Sequence, residues 1–372
     1  MLFRSEDSSI TTTVPATVAG ATNTRYRCTG YTGTGSAPAT GATNTVTFTI
    51  TEDSSVTFAW VTQYYCTFQT SPASVGALSA FSATGHWSDW YDIGASLSTT
   101  VPSQVTESST IRWNATSISS SGMFVWPSGN TSVFVGISTP CTITFNYTEQ
   151  CYFAVSTTQG TLSGSATGWY DAGTSLSATV SQNVDITANQ SRYNCTGFSG
   201  TGDLGNASSN TTGSFSLTQP TTVRFAFVVQ YYYGVTIGHG TLTGNGSGWY
   251  DTGTSLITTA QQTVDIVTNQ SRYNCTGFTG TGNLSAWGTT NTTGQFTLTQ
   301  YTTMAFTWNT QYYFSISAGT AAPAITGSTS NWYNSGTTLT SSVPQTVTIV
   351  TDQSRYNCSG FTATCRLSSG NG

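Results

Sequence analysis

The sequence predicts an all-β protein, a tandem array of about five immunoglobulin-like β-sandwich units of roughly 80 residues, the first and last incomplete. Three observations predict it. An arginine followed by an aromatic residue recurs at Arg25, Arg112, Arg192, Arg272 and Arg355, at intervals of 87, 80, 80 and 83 residues. Within each interval the apolar period is two, as in Thr221-Thr222-Val223-Arg224-Phe225-Ala226-Phe227, which is the alternation of a half-buried strand. Gly-Thr-Gly, Asn-Gly and Pro punctuate these runs at turn spacing, and no window carries a helical stripe.

The repeats set the boundaries. Each unit after the first opens on a glutamine and an aromatic-rich run: Gln63-Tyr64-Tyr65-Cys66, Gln150-Cys151-Tyr152-Phe153, Gln230-Tyr231-Tyr232-Tyr233 and Gln311-Tyr312-Tyr313-Phe314. A Trp-Tyr-Asp-x-Gly signature follows at Trp90, Trp169 and Trp249, and reads Trp332-Tyr333-Asn334 in its last copy. The expected units are 1–62, which lacks an opening strand, then 63–149, the most divergent, 150–229, 230–310, and 311–372, which lacks closing strands. Val223 to Ile237 and Met304 to Ile316 read as single extended segments with no linker, so the last strand of one unit runs into the first of the next. With ~30 Å per strand of nine or ten residues, such an array spans very roughly 120–160 Å.

Composition excludes several classes. Only 6% of residues are charged, the formal net charge is −5, and the nine basic residues are all arginine. That leaves no electrostatic footprint for nucleic acid. No run approaches 18 apolar residues, so no membrane-spanning helix is encoded. Without lysine there is no Schiff base and no phosphate-loop lysine, and two histidines, His86 and His239, cannot build a histidine-rich metal site. No apolar stretch follows Met1–Asp7 as a signal peptide requires. Asp251-Thr252-Gly253 spells an aspartic-protease string, but it is one copy of a repeated turn whose last copy has lost the carboxylate. A turn with Asp capping a backbone amide and Gly at positive φ accounts for every copy. No catalytic residue, cofactor or metal ligand is expected, and the chain is read as a non-enzyme.

The order Gln-Tyr-Tyr, Gly168-Trp169-Tyr170-Asp171-Ala172-Gly173-Thr174, Arg192-Tyr193 to Gly197-Phe198, and a closing Phe-x-Trp at Phe58–Trp60 and Phe306–Trp308 resembles the tandem β-repeats of archaeal and bacterial surface proteins, relatives of the internalin-type B-repeat among them. The resemblance covers nearly the whole chain and is clearest from 150 to 362. It implies extracellular structural or adhesive modules without catalytic residues. The chain departs from that pattern at Cys195, Cys275 and Cys358, which replace a core aromatic.

Thirteen of the twenty asparagines lie in Asn-x-Ser/Thr sequons: Asn114, Asn130, Asn146, Asn189, Asn194, Asn206, Asn210, Asn245, Asn269, Asn274, Asn283, Asn291 and Asn357. Composition and repetition raise the count by themselves, yet Asn114, Asn194, Asn274 and Asn357 fall at one place in four units, and N-linked glycans would keep so uncharged a chain soluble. Of eight cysteines, Cys141 with Cys151 and Cys358 with Cys365 are the disulfide candidates; the repeated ones read as buried thiols. The Trp-Tyr pairs serve either as core or as platforms for sugar. The repeated arginines make a structural hydrogen bond or meet an acid such as Asp185 or Asp265.

Together these features predict a structural subunit of an extracellular, glycosylated filament or surface appendage, a homopolymer joined head to tail by β-strand complementation between incomplete end units. The absence of lysine suits an acidic habitat. The alternative is a monomeric adhesin or stalk segment of a larger cell-surface protein, binding a glycan or cell-surface ligand; a viral fibre protein is a third reading.

Overall fold

The computed structural model describes residues 8–122, 125–319 and 322–363. Among these the protein is all-β, with a single one-turn helix at Ala73–Gly76, and no helix is long or apolar enough to cross a membrane. The chain divides into two compact units, one of residues 1–180 with 197–226, the other of residues 181–196 with 227–372.

Long strands cross the sequence repeats where the sequence predicts. Ser55–Ser71 and Cys141–Thr157 each run for 17 residues, Thr221–Thr236 for 16 and Thr302–Phe314 for 13. In each strand the first part closes one repeat and the second opens the next. Alternation explains their persistence: in Cys141–Tyr147 every second side chain is buried, and after Cys141 those places are filled by β-branched Ile143 and aromatic Phe145 and Tyr147.

The first unit builds its core from the second repeat. Phe68, Val105, Val133, Ile143 and Phe145 are each 2% exposed or less and form one cluster with Leu97, Val101, Val135 and Ile137. Its opening segment Cys66–Ser71 lies parallel to its closing segment Cys141–Asn146. Phe153–Thr157 and Thr221–Phe225 repeat that parallel pairing for the third repeat. The second unit does so again with Tyr233–Thr236 against Thr302–Ala305, over a core of Tyr233, Leu256, Ala260, Phe278, Leu298, Met304 and Phe306. Burial of each such side chain contributes ~1.5–3 kcal/mol, and the sum over these clusters is what holds strands of so polar a chain together.

The arginine-bearing strand pairs antiparallel with the closing strand and carries a bulge just after its cysteine, between Cys28 and Gly30 and between Cys275 and Gly277. Gly30 and Gly277 have φ of 136° and 146°, and a Cβ there would lie 2.1 and 2.0 Å from the carbonyl oxygens of Gly41 and Gly288. Only glycine fits the bulge.

The first and fifth repeats differ from the rest. Ser55–Val61 pairs with Thr34–Arg27 on one side, and among the described residues no strand lies along its other edge. Its inward residues Ser54, Val56 and Phe58 are half-buried, whereas their counterparts Ile143 and Phe145, Val223 and Phe225, Met304 and Phe306 are buried. In the fifth repeat the strand stops at Phe314 rather than reaching Ile316. Phe314 stands at the place where Cys66, Phe153 and Tyr233 meet their parallel partners, and no described strand offers it one.

Candidate functional site: the repeat junctions

The repeated signature residues converge at the junctions, and they do so four times. Arg25 donates from Nε to Oε1 of Gln63 at 2.7 Å, and Gln63 passes its Nε2 to Oδ1 of Asp92 at 2.7 Å. The guanidinium carbon of Arg25 sits 4.5 Å from the centroid of the Trp90 ring. Arg112, Gln150, Asp171 and Trp169 form the second copy, with 2.8 Å for both hydrogen bonds and 4.5 Å to the ring. Arg192, Gln230, Asp251 and Trp249 form the third, at 2.8, 2.8 and 4.3 Å. Arg272, Gln311, Asn334 and Trp332 form the fourth, at 2.9, 3.1 and 4.3 Å.

In every copy the arginine belongs to one repeat and its three partners to the next. The through-running strand explains the meeting. It pairs with the arginine strand on one edge, which sets Arg272 opposite Gln311, and with the Trp-Tyr-Asp strand on the other, which sets Gln311 opposite Asn334. A tyrosine of the same strand packs edge-on against each tryptophan: Tyr65, Tyr152, Tyr232 and Tyr313, with ring centroids 5.3–5.5 Å apart. A guanidinium stacked on indole and hydrogen-bonded at Nε is a latch, contributing ~0.5–2 kcal/mol from the cation–π contact. Burial pushes Arg192 below the usual arginine value, and Asp185 across the strand pair partly offsets this.

This geometry decides two alternatives the sequence leaves open and revises one expectation. The tryptophan faces at Trp90, Trp169, Trp249 and Trp332 are covered by the chain's own arginines rather than held open as sugar platforms. The repeated arginines make the structural hydrogen bond, from Nε to glutamine, while Asp185 and Asp265 sit across the strand pair from Arg192 and Arg272. In the turn, glycine takes positive φ as expected at Gly94, Gly173, Gly253 and Gly336, while the aspartate side chain receives the glutamine amide instead of capping a turn amide. The signal the sequence holds for this pairing is a near-constant interval: Arg to Gln is 38, 38, 38 and 39 residues.

The first junction carries an addition. Arg27 occupies the place that sequon asparagines hold in the other repeats, and it forms an ion pair with Asp92. The hydrogen bond from Arg27 is the largest influence holding the Asp92 carboxyl below its ordinary value, and the bond from Gln63 acts the same way.

The cysteines need correction. Cys141 is in a disulfide, but its partner is Cys66, with Cα atoms 4.9 Å apart, not Cys151. Cys141 and Cys151 lie ten residues apart on one strand, ~33 Å in extended chain, so neither can reach the other. Parallel pairing of opening and closing strands places Cys66 directly opposite Cys141. Cys151 is a buried thiol, pushed up to about 11 chiefly by burial, with Glu149 adding to it. Cys365, the expected partner of Cys358, lies outside the described residues.

The sequons sort by what holds their amide. Asn194, Asn274 and Asn357 accept at Oδ1 from Gln182, Gln262 and Gln345 at 2.9, 3.1 and 3.2 Å, leaving Nδ2 uncommitted. Asn210 and Asn291 instead spend Nδ2 on the carbonyls of Val180 and Ala260, at 2.8 and 2.7 Å. Asn283 spends Nδ2 on Thr299, and Asn146 on Ser117 and Ser119. Asn189 and Asn269 hold left-handed turn positions at φ 59° and 61°. Asn206 and Asn245 accept at Oδ1 from backbone amides of Gly200 and Ile257; Asn114 is half-buried and Asn130 exposed.

Neither a protein-family model, nor a curated protein, nor a solved structure matches the chain.

Proposed function

We propose that this chain is a structural subunit of an extracellular glycosylated filament, an array of five immunoglobulin-like repeats that joins copies head to tail by strand complementation. One observation carries the reading. Repeats two, three and four each set an opening strand parallel to a closing strand, whereas Phe314–Ala318 and Ser54–Phe58, the corresponding opening and closing segments, each lack a parallel partner among the described residues. Half-buried Val56 and Phe58 mark an edge short of cover, and an uncovered strand edge recruits another strand. A contact between different surfaces of identical copies does not close on itself, so it grows a fibre.

The internal pairs supply the register. The opening residue three after the glutamine meets the closing residue nine before the next glutamine, as in Cys66 with Cys141, so Phe314 of one copy meets Ser54 of another. The double variant Ser54→Cys with Phe314→Cys tests this. Disulfide-linked oligomers rising in steps of one 39.2 kDa chain are expected on a non-reducing gel, with neither single variant giving them. A double variant that stays monomeric would sink the polymer and leave the stalk of a longer surface protein, whose missing strands are supplied within the chain. That stalk would not bind sugar on its signature tryptophans, since arginines cover them.

A further inference from the structure

We propose that the repeats carry tension, each through its parallel opening–closing strand pair, and that the Cys66–Cys141 disulfide locks the second repeat out of the extensible part of the chain. The inference holds for a filament or a stalk, because it depends on the path of the chain through one repeat and not on how copies meet.

Chain direction decides the mechanics. Tension enters a repeat at the N-terminal end of its opening strand and leaves at the C-terminal end of its closing strand. Where those strands are parallel and adjacent, the two pulls act along the strands in opposite senses. The ladder is then sheared, and its evenly spaced hydrogen bonds yield together rather than one by one. The third repeat has this pair from Phe153 with Thr221 to Thr157 with Phe225, and the fourth from Tyr233 with Thr302 to Thr236 with Ala305. A buried aromatic stands at the head of each pair, Phe153 and Tyr233, both 0% exposed, so sliding the strands also exposes core.

In the second repeat, Cys66 and Cys141 occupy that head position and are bonded, with a sequence separation of 75. Tension reaching Cys66 passes through the sulfurs to Cys141, and the residues between them stay off the path. The third and fourth repeats have no cysteine at these positions and are joined there by hydrogen bonds and packing alone. One repeat is therefore covalently fixed, and two can lengthen and refold.

Pulling the full chain from its ends in a single-molecule force experiment tests the idea. The loops from Phe153 to Thr221 and from Tyr233 to Thr302 should each release ~240 Å in one step, at ~3.5 Å per residue. Reductant should add a third step of ~260 Å from the second repeat. The variant Phe153→Cys with Thr221→Cys, oxidised, should remove one of the ~240 Å steps and leave the other. Three long steps without reductant would overturn the proposal, as would failure of that variant to form its disulfide. Gradual lengthening without discrete steps would overturn the shear argument in particular.

Discussion

The second and fourth repeats close the same joint by different means. Both set an opening strand parallel to a closing strand, and both bury the residue at the head of that pair completely. In the second that residue is Cys66, bonded to Cys141. In the fourth it is Tyr233, whose hydroxyl meets Thr258 at 2.9 Å and whose ring packs edge-on to Tyr250 and Phe296. The disulfide belongs to a cluster with Phe68, Val105, Val133, Ile143 and Phe145, and the tyrosine to one with Leu256, Leu298, Met304 and Phe306. One topology thus accepts either a covalent tie or a large side chain at the same point, provided the enclosed volume is filled.

The largest effect should come from removing the tie. Reducing Cys66–Cys141, or replacing both with serine, should cost the second repeat about 4 kcal/mol for a loop of this length. Thermal unfolding followed by circular dichroism would show the melting of one part of the chain fall while the fourth repeat keeps its own. Equal loss in both would break the comparison.

A smaller effect should appear in the latch, which both repeats share. Arg112→Ala and Arg272→Ala should each cost about 1–2 kcal/mol, from a lost cation–π contact and a glutamine left without its donor. Lysine should not restore it, because the bond to glutamine comes from Nε of a planar guanidinium. Denaturant titration of the alanine and lysine variants decides this; a full rescue by lysine would reduce the latch to a charge.

The asparagines separate the repeats again. Asn291→Ala in the fourth should cost about 1–2 kcal/mol, since Nδ2 bonds the carbonyl of buried Ala260, while Asn146→Ala in the second should stay within about 0.5 kcal/mol. Peptide mapping of the native protein should accordingly find sugar on Asn194, Asn274 and Asn357 and none on Asn210 or Asn291. Occupancy of Asn291 would show that the amide bond is dispensable.

The smallest effect is electrostatic and confined to the entrance of the second repeat. Because Arg27 and Gln63 hold Asp92 below its ordinary value, the ion pair stabilises above the unfolded carboxylate range and is lost as pH falls below about 4. Both side chains are well exposed, at 40% and 37%, so the contribution is under about 1 kcal/mol. Wild type and Asp92→Asn should differ slightly in urea midpoint at pH 6, and the difference should shrink as pH falls below about 4. A gap that widens in acid would reverse the assignment.

Strand identity was legible because alternation is local: the period of two in Thr221–Phe227 and the turn glycines already specified strands and their ends. The Arg, Gln and Trp positions were legible as a repeat but not as a cluster. Their contact requires one strand to serve two neighbours, with Gln311 opposite Arg272 on one edge and Asn334 on the other. Cys141 was recognisable as a disulfide cysteine, yet proximity in sequence suggested Cys151, while the parallel ladder brings in Cys66 from 75 residues away. The sequons were equally visible, but which amides are committed depends on the carbonyls that face them.

Sequence by itself determined the all-β character and the strands that run through Val223–Thr236 and Met304–Phe314, because these follow from side-chain alternation and from turn residues acting within a few positions. Tertiary structure alone decided the parallel pairing of first and last strands, and with it the disulfide partner and the arginine latch. Those depend on which distant segments share a ladder, and hydrogen bonds between backbones carry no mark of partner in the residues that make them.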